Sequence, residues 1–138
     1  MITITKELFI ETGHRLMNHE SKCKNAHGHQ YKICITCHAE KLDEVGRIVD
    51  FSVIKREVGG WLDDHWDHGM LLQRGDNLAT FLKAEGNKVY VMEDPPTAEN
   101  LATLVLRVAR GLLRPFGVHV VKVRVWETPS CFADAEGL

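Results

Sequence analysis

The 138-residue sequence lacks any apolar stretch near the roughly 18 residues needed to span a bilayer. Its first residues lack the apolar core of a signal peptide, so we expect a cytoplasmic protein with no membrane partner. It also lacks an excess of either charge, since 17 Lys and Arg stand against 19 Asp and Glu. Without a basic block, the composition argues against a nucleic-acid-binding protein, and we expect no nucleic-acid partner.

Cysteine is scarce as well, with 4 residues at positions 23, 34, 37 and 131. In a reducing compartment these residues are buried thiols, metal ligands or nucleophiles rather than two disulfides. Cys34 and Cys37 have the spacing of half a structural zinc site, but no second pair completes it. Residues three apart in a strand also point to opposite faces, so we assign this pair to packing.

What the sequence does contain is an ordinary globular composition, with 44% apolar and 26% charged residues. Its length predicts one domain over residues 1–138. The compositional oddity is the 8 histidines, which direct the search for a functional site.

Four strands are predicted from apolar patterning. The first covers residues 2–14 and is irregular near Gly13, and the second covers residues 30–38, where apolar and polar residues alternate. Between them, residues 15–28 form a predicted loop. Shorter strands are predicted at residues 89–91 and 121–125.

Two helices complete the predicted fold. The first begins after Asp50 or Ser52, and the second begins after Thr97, whose side chain suits the N-cap position. This element order indicates an α+β two-layer sandwich, with a sheet of about four strands covered by two helices on one face. A sheet of this size has exposed edges, which predicts protective edge residues or closure by oligomerisation.

The strongest local signal for chemistry is His27-Gly28-His29, immediately before the second strand. Two imidazoles two residues apart in an extended segment project to the same side. His14 ends the first strand and would lie beside them if the two strands pair antiparallel. Three histidines that leave the fourth tetrahedral position open are typical of catalytic zinc. Each histidine alone could be a solvated loop residue, but their spacing as a set favours zinc.

Cys23 lies four residues before His27, close enough to sit beside such a metal without ligating it. It could act as a base or nucleophile if positive charge from the metal, Lys22 or Lys24 favours its thiolate. The alternative is an inert thiol.

Two further features have open interpretations. Asp67 beside His68 could fix the imidazole tautomer and stabilise its charged form during proton transfer, although such pairs also arise by chance. Glu127 follows the valines of the last predicted strand, and it is either a ligand anchor or a surface carboxylate.

The sequence resembles the family of 6-pyruvoyltetrahydropterin and 6-carboxytetrahydropterin synthases. The resemblance rests on motifs that occur in the same order along the chain: Gly13-His14, Cys23-x3-His27-Gly28-His29, Val49-Asp50-Phe51, Asp67-His68, Pro96-Thr97-Ala98-Glu99-Asn100 and Glu127-Thr128. Each motif is loose alone, but the ordered set is specific. The poorest match is the segment 69–92, which is longer than in compact family members.

This resemblance implies the tunnelling fold, in which a four-stranded antiparallel sheet carries two helices on one side. Trimers close their sheets into a barrel, and two trimers stack into a hexamer. The implied site residues are the Zn²⁺ ligands His14, His27 and His29, the thiolate base Cys23, the proton-relay pair Asp67 and His68, and the pterin-binding residues Glu127 and Thr97. Family active sites lie between subunits, so Cys23 and His68 need not come from one chain.

Two activities divide this family. The three residues between Cys23 and His27 resemble the spacing of the carboxytetrahydropterin-forming branch of queuosine biosynthesis, whereas pyruvoyl-forming enzymes tend to have five. The implied reaction converts 7,8-dihydroneopterin triphosphate and water to 6-carboxy-5,6,7,8-tetrahydropterin, triphosphate and acetaldehyde. The alternatives are a pyruvoyl-forming synthase and a non-catalytic zinc or pterin-binding module. Lys22, Lys24 and Arg15 are candidate triphosphate contacts.

Overall fold

The computed structural model describes residues 1–137 as a six-stranded mixed sheet with helices packed against it. The strands are β1 (Ile4–His14), β2 (His27–His38), β3 (Met70–Gln73), β4 (Val89–Met92), β5 (His119–Thr128) and β6 (Cys131–Glu136), in the spatial order β4-β3-β1-β2-β5-β6. The helices are α1 (Phe51–Ile54), α2 (Gly60–His65), α3 (Asn77–Ala84) and α4 (Ala98–Leu113), with a π-helical turn at Lys55–Gly59 and 3₁₀ turns at Lys22–Lys24 and Arg114–Phe116.

The prediction of four strands was wrong in number. β1, β2, β5 and β6 form an antiparallel sheet, and β3 and β4 extend it beyond β1 as short parallel strands. β3 has only four residues and β6 is mostly exposed, so neither carries a long period-two pattern that sequence reasoning could detect. The strand predicted at residues 89–91 is β4, which lies outside the antiparallel part.

Both predicted helices are confirmed, and α3 is an additional one. The Asp50 carboxylate caps α1 by accepting a hydrogen bond from the Ser52 N–H at 2.8 Å. α1 continues through the π-helical turn into α2, where Gly59 and Gly60 weaken the regular helical pattern. Thr97 caps α4, as expected. None of the helices within residues 1–137 is long and apolar enough to cross a membrane.

The core lies between the helices and one face of the antiparallel sheet. β1 buries Leu8 and Ile10 on this face, and β2 buries Ile33 and Ile35. On the other face Phe9 stays 60% exposed, so that face has no cover within the described chain. Cys34 and Cys37 are both buried, which fits their assignment to packing.

A bulge changes one detail of β5. The register of β5 against β2 shifts between Thr36 and Cys37, so that Val120 pairs with Cys37 and is buried, while Val121 is only partly buried. Beyond the bulge the predicted alternation is confirmed, with Val123 and Val125 fully buried.

Strand direction brings three strand ends together. The end of β1, the start of β2 and the end of β5 lie at the same end of the sheet because these neighbours run antiparallel. His14 pairs with His27 in this register, and Gly13 pairs with Gly28. His14 and His27, two of the predicted metal ligands, therefore lie together at one end of the sheet.

Replacement of two glycines by alanine should change the free energy of unfolding in opposite directions. A Cβ at Gly13 would overlap the Met70 sulfur and lie 3.0 Å from the His27 carbonyl oxygen, whereas a Cβ at Gly60 would meet nothing within 4 Å. Gly60 also has helical angles, φ −60° and ψ −43°. We expect Gly13→Ala to lower the free energy of unfolding by about 1–3 kcal/mol. Gly60→Ala should raise it by about 0.5–1 kcal/mol.

Urea unfolding of both variants and the parent protein measures these changes. A Gly13→Ala protein as stable as the parent would show that Met70 and β2 move aside without cost.

Candidate metal centre

Four side chains that can ligate a metal converge at this end of the sheet. They are His14, His27, His29 and Glu127, and their ligand atoms all lie within 4.8 Å of one another. The pairing of His14 with His27 puts both rings on the helix-facing side of the sheet, and His29 follows two residues later on the same side. The expected juxtaposition of the three histidines is therefore confirmed.

The spacing of these atoms suits a tetrahedral ion. With Zn–N bonds near 2.0–2.1 Å, ligand atoms around tetrahedral zinc are about 3.3 Å apart. His14 Nε2 lies 3.0 Å from His27 Nε2, and His29 Nε2 lies 3.1 Å from Glu127 Oε1. Despite that short distance, His29 Nε2 is buried and has no hydrogen bond of acceptable geometry. Convergent ring nitrogens with a buried, unbonded member fit a cation.

Burial also keeps these imidazoles in the form that binds metals. Burial lowers the pKa of His14, and this effect exceeds the raising influence of its hydrogen bond to Pro96 and of Glu127. Burial lowers the pKa of His29 in the same way. Neutral imidazole is the ligand form of histidine, so both rings are ready for a metal without first losing a proton at neutral pH.

The ring nitrogens facing away from the cluster are held by backbone carbonyls. His14 Nδ1 lies 2.8 Å from the Pro96 oxygen, and His27 Nδ1 lies 2.7 Å from the Asn25 oxygen. A carbonyl oxygen only accepts, so each Nδ1 carries the hydrogen and donates it. Each Nε2 is then left with its lone pair aimed into the cluster, which is how metal-binding histidines are usually oriented.

Comparison with known proteins decides the family. The model of the family described as 6-pyruvoyl tetrahydropterin synthase matches residues 3–137. The chain belongs to the 6-pyruvoyl tetrahydropterin synthase family.

Several members of this family resemble the chain along its whole length. It is 36% identical to the 6-carboxy-5,6,7,8-tetrahydropterin synthase of Rickettsia bellii, over 97% of this chain and 99% of that protein. It is 37% identical to the probable 6-carboxy-5,6,7,8-tetrahydropterin synthase of Halobacterium salinarum, over 90% of this chain and 79% of that protein. Its fold is similar to that of Caenorhabditis elegans 6-pyruvoyl tetrahydropterin synthase, with a TM-score of 0.73 and 22% identity over 99% and 96% of the two chains.

Cys23 lies near the histidine cluster but outside it. It is half-buried in the 3₁₀ turn Lys22–Lys24, and its carbonyl accepts a hydrogen bond from the Leu16 N–H at 3.1 Å. Burial raises the pKa of Tyr31, and negative charge on Glu127 and Cys23 adds to that rise. Cys23 is therefore close enough to act electrostatically on the phenol that borders His14.

Asp67 and His68 form the expected pair, but away from the cluster. His68 Nδ1 donates to Asp67 Oδ2 at 2.8 Å, and Asp67 Oδ1 accepts from the Glu11 N–H at 2.8 Å. His68 is 73% exposed, with φ 58° in the left-handed region. In β1, Ile10, Thr12 and His14 face the helices, whereas Glu11 is exposed on the uncovered face of the sheet. Within residues 1–137, no hydrogen bond or ion pair joins the pair to the cluster.

The other predicted contacts have partners of their own. Thr97 Oγ1 accepts from the Asn100 N–H at 3.2 Å, which is the cap of α4. Arg15 forms a bidentate pair with Asp76, since Nε donates to Asp76 Oδ2 at 2.9 Å and Nη2 donates to Oδ1. Its guanidinium is thus already neutralised, which makes Arg15 a poor triphosphate contact.

Sequence reasoning missed the residues that support these groups. Pro96 and Asn25 act through backbone carbonyls, which every residue has, so no side-chain pattern marks them. Lys88 donates to the carbonyls of Asp63 and Asp67 at 2.5 and 2.7 Å, which anchors the turn that carries Asp67 and His68. A lysine in a polar segment gives no signal for that role either.

The Asp67–His68 bond makes a prediction about pH. The hydrogen bond that His68 donates to the Asp67 carboxylate raises the pKa of His68 above its ordinary value of 6.5. Replacement Asp67→Asn keeps an acceptor for the Glu11 N–H but removes the charge, so the pKa of His68 should fall. The ion pair should stabilise the parent protein below pH about 6.5 and lose its effect as pH rises through the raised pKa.

Histidine NMR titrations of both proteins measure this shift, with His119 as an exposed internal reference. An unchanged His68 pKa in Asp67→Asn would contradict the assigned cause.

Proposed function

We propose that the chain is a zinc-dependent lyase of queuosine biosynthesis, which converts 7,8-dihydroneopterin triphosphate and water to 6-carboxy-5,6,7,8-tetrahydropterin, triphosphate and acetaldehyde. The observation that carries this proposal is the similarity to 6-carboxy-5,6,7,8-tetrahydropterin synthases over nearly the full length of both chains. The three-residue spacing between Cys23 and His27 supports the same branch of the family.

The histidine cluster supports zinc as the cofactor. His14, His27 and His29 would supply three neutral nitrogens, and nitrogen ligands in this number are typical of catalytic zinc. When bound, the ion would act as a Lewis acid on the hydroxyls of the substrate side chain, which makes the C1′ proton easier to remove.

The protein residues would then move protons. In our proposal the Cys23 thiolate removes the C1′ proton, because Cys23 is half-buried and close enough to act electrostatically on Tyr31, which borders His14. Asp67 holds His68 by its Nδ1, which leaves Nε2 to exchange protons as triphosphate leaves and the side chain is cleaved. Since no hydrogen bond or ion pair joins this pair to the cluster of its own chain in the described residues, we infer that it serves the site of a neighbouring subunit.

Glu127 has two candidate roles in this scheme. As a pterin anchor its carboxylate would accept two N–H bonds and hold the reacting carbon near Cys23. Its Oε1 is 3.1 Å from His29 Nε2 and 3.7 Å from His14 Nε2, so it could instead be a fourth ligand. We favour the anchor, because a fourth protein ligand would close the position that the substrate needs. Thr97 begins α4 beside Pro96 and would contact the same substrate.

Open strand edges support assembly of several chains. β3 pairs with β1 only at Gly13 and His14, and the backbone of Glu11 is hydrogen-bonded to Asp67 and His68. Residues 4–10 of β1 therefore keep an unpaired edge, and β6 is the last strand at the other side of the sheet. Unpaired edges of this kind invite pairing with another chain. We propose that β1 of one subunit pairs with β6 of the next, which closes three sheets into a barrel, and that two such trimers stack into a hexamer.

Light scattering during size-exclusion chromatography tests this assembly. Six copies of the 15.6 kDa chain have a mass of about 94 kDa, and we expect that value. A species of 15.6 kDa that is fully active would contradict both the barrel and the shared active site.

The catalytic proposal is tested by Cys23→Ala. We expect this variant to keep one zinc per chain, because Cys23 is outside the ligand cluster, and to release acetaldehyde at least about 100-fold more slowly, because it has lost its general base. Metal analysis, an acetaldehyde assay and the product mass are measured together. Cys131→Ala is the matched control, since Cys131 is an exposed cysteine outside the cluster, and it should keep both properties.

Several outcomes would contradict the proposal. Full acetaldehyde release by Cys23→Ala would exclude Cys23 as the base. A product with the mass of 6-pyruvoyltetrahydropterin would indicate the pyruvoyl-forming activity instead. If the parent protein bound zinc and pterins but did not convert 7,8-dihydroneopterin triphosphate, a binding module would be the correct interpretation. Glu127→Gln should retain zinc if Glu127 is the anchor and lose affinity for it if Glu127 is a ligand.

A further inference from the structure

The turn that precedes α4 is hydrogen-bonded to a histidine far away in sequence. His14 is fully buried, and its Nδ1 donates to the carbonyl of Pro96 at 2.8 Å, across 82 positions of the chain. This bond is the buried link between the start of α4 and the candidate metal centre. The direction of the Pro96 carbonyl therefore affects the orientation of the His14 ring.

The preceding carbonyl, that of Pro95, is held by two donors. The Thr97 N–H donates to it at 2.8 Å, which closes a tight turn around Pro96. The Asn100 side chain donates to the same oxygen through Nδ2, also at 2.8 Å. Both prolines have a fixed φ, so few torsions remain free once the Pro95 oxygen is held. Asn100 thus restricts the Pro95–Pro96 turn from the first turn of α4.

We propose that Asn100 is a positioning residue for the metal ligand His14 and acts through the Pro95–Pro96 turn. This inference rests on the proposed zinc site. The Asn100 side chain does not touch His14 itself, and its effect passes through two backbone carbonyls.

A competing hydrogen bond shows why the turn must be held. The Tyr31 hydroxyl lies 3.2 Å from His14 Nδ1, the same atom that donates to Pro96. With the Pro96 carbonyl in place, Nδ1 keeps its hydrogen, and Nε2 has a free lone pair. If that carbonyl moved away, the Tyr31 hydroxyl could donate to Nδ1 instead. The hydrogen of the neutral imidazole would then be on Nε2, the atom that faces the other ligands.

The held turn therefore selects the tautomer of His14 that can bind a metal. The selection operates before any metal arrives, because it depends only on hydrogen bonds within the chain. Partners of this kind for a ligating histidine typically change metal affinity by 10–100-fold when they are lost.

The variant Asn100→Asp separates this role from a general effect on α4. Aspartate has nearly the same shape and suits the first turn of a helix, where negative charge is favourable, but it has no hydrogen to donate to Pro95. We expect zinc affinity, measured by competition with a chelator, to fall about 10–100-fold. The melting temperature of the zinc-free protein should stay close to that of the parent.

Two further variants complete the set. Asn100→Ala removes the donor without adding charge and should lose zinc affinity to a similar extent. Glu99→Gln removes a charge from the same helical turn but leaves the Pro95 contact, and it should bind zinc as the parent does.

Nitrogen-15 NMR of the zinc-free proteins gives a second readout. We expect the parent to carry the His14 hydrogen on Nδ1, and Asn100→Asp to show an increased fraction on Nε2. Unchanged zinc affinity and an unchanged tautomer in Asn100→Asp would overturn the inference. So would a loss of affinity that is matched by a loss of thermal stability with no change of tautomer. A parent protein that binds no zinc would overturn the proposed function, while the tautomer measurement would still test the turn.

Discussion

The antiparallel register of β1 and β2 is the constraint on which the site depends. Alternate residues of each strand face the helices, so the register that buries Leu8 against Ile33 also puts His14 and His27 on that face. A slip by one residue would expose the apolar side chains and turn the imidazoles outward together. The burial of apolar side chains elsewhere on the two strands therefore fixes the register, and the register positions the histidines.

That position has an energetic cost which a cation would relieve. At the end of an apolar stripe, burial removes His14 and His29 from water, and their ring nitrogens face other nitrogens and a carboxylate instead of ordinary donors. Buried polar atoms without good partners are destabilising. A fold that keeps such a cluster departs from local optimisation, and departures of this kind concentrate at functional sites. The cluster is therefore better explained by ligand binding than by stability.

Local sequence patterns predicted those features of the structure that depend on interactions between residues near one another in the chain. Period-two alternation located β1 and β2, the side chain of Thr97 located the start of α4, and His27-Gly28-His29 located the candidate metal centre. β3 and β6 were not predicted, because short or exposed strands have little periodicity. The roles of the Pro96 and Asn25 carbonyls as hydrogen-bond acceptors were not predicted, because every residue has a backbone carbonyl. That His68 forms no hydrogen bond or ion pair with the cluster depends on the three-dimensional course of β1, which no local sequence pattern predicts.

The segment 69–92 matches the family motifs least well, yet it supports the parts of the chain that carry the candidate site. Its β3 joins β1 directly at His14, and the Asp76 carboxylate both caps α3 and binds Arg15, the residue after His14. At its other end Lys88 binds the carbonyl of Asp67. The segment thus braces both the end of β1 and the turn that carries the Asp67–His68 pair. Because these contacts reach the two groups from one side of the sheet, a change within 69–92 would affect both the histidine cluster and the Asp67–His68 pair without altering any of their residues.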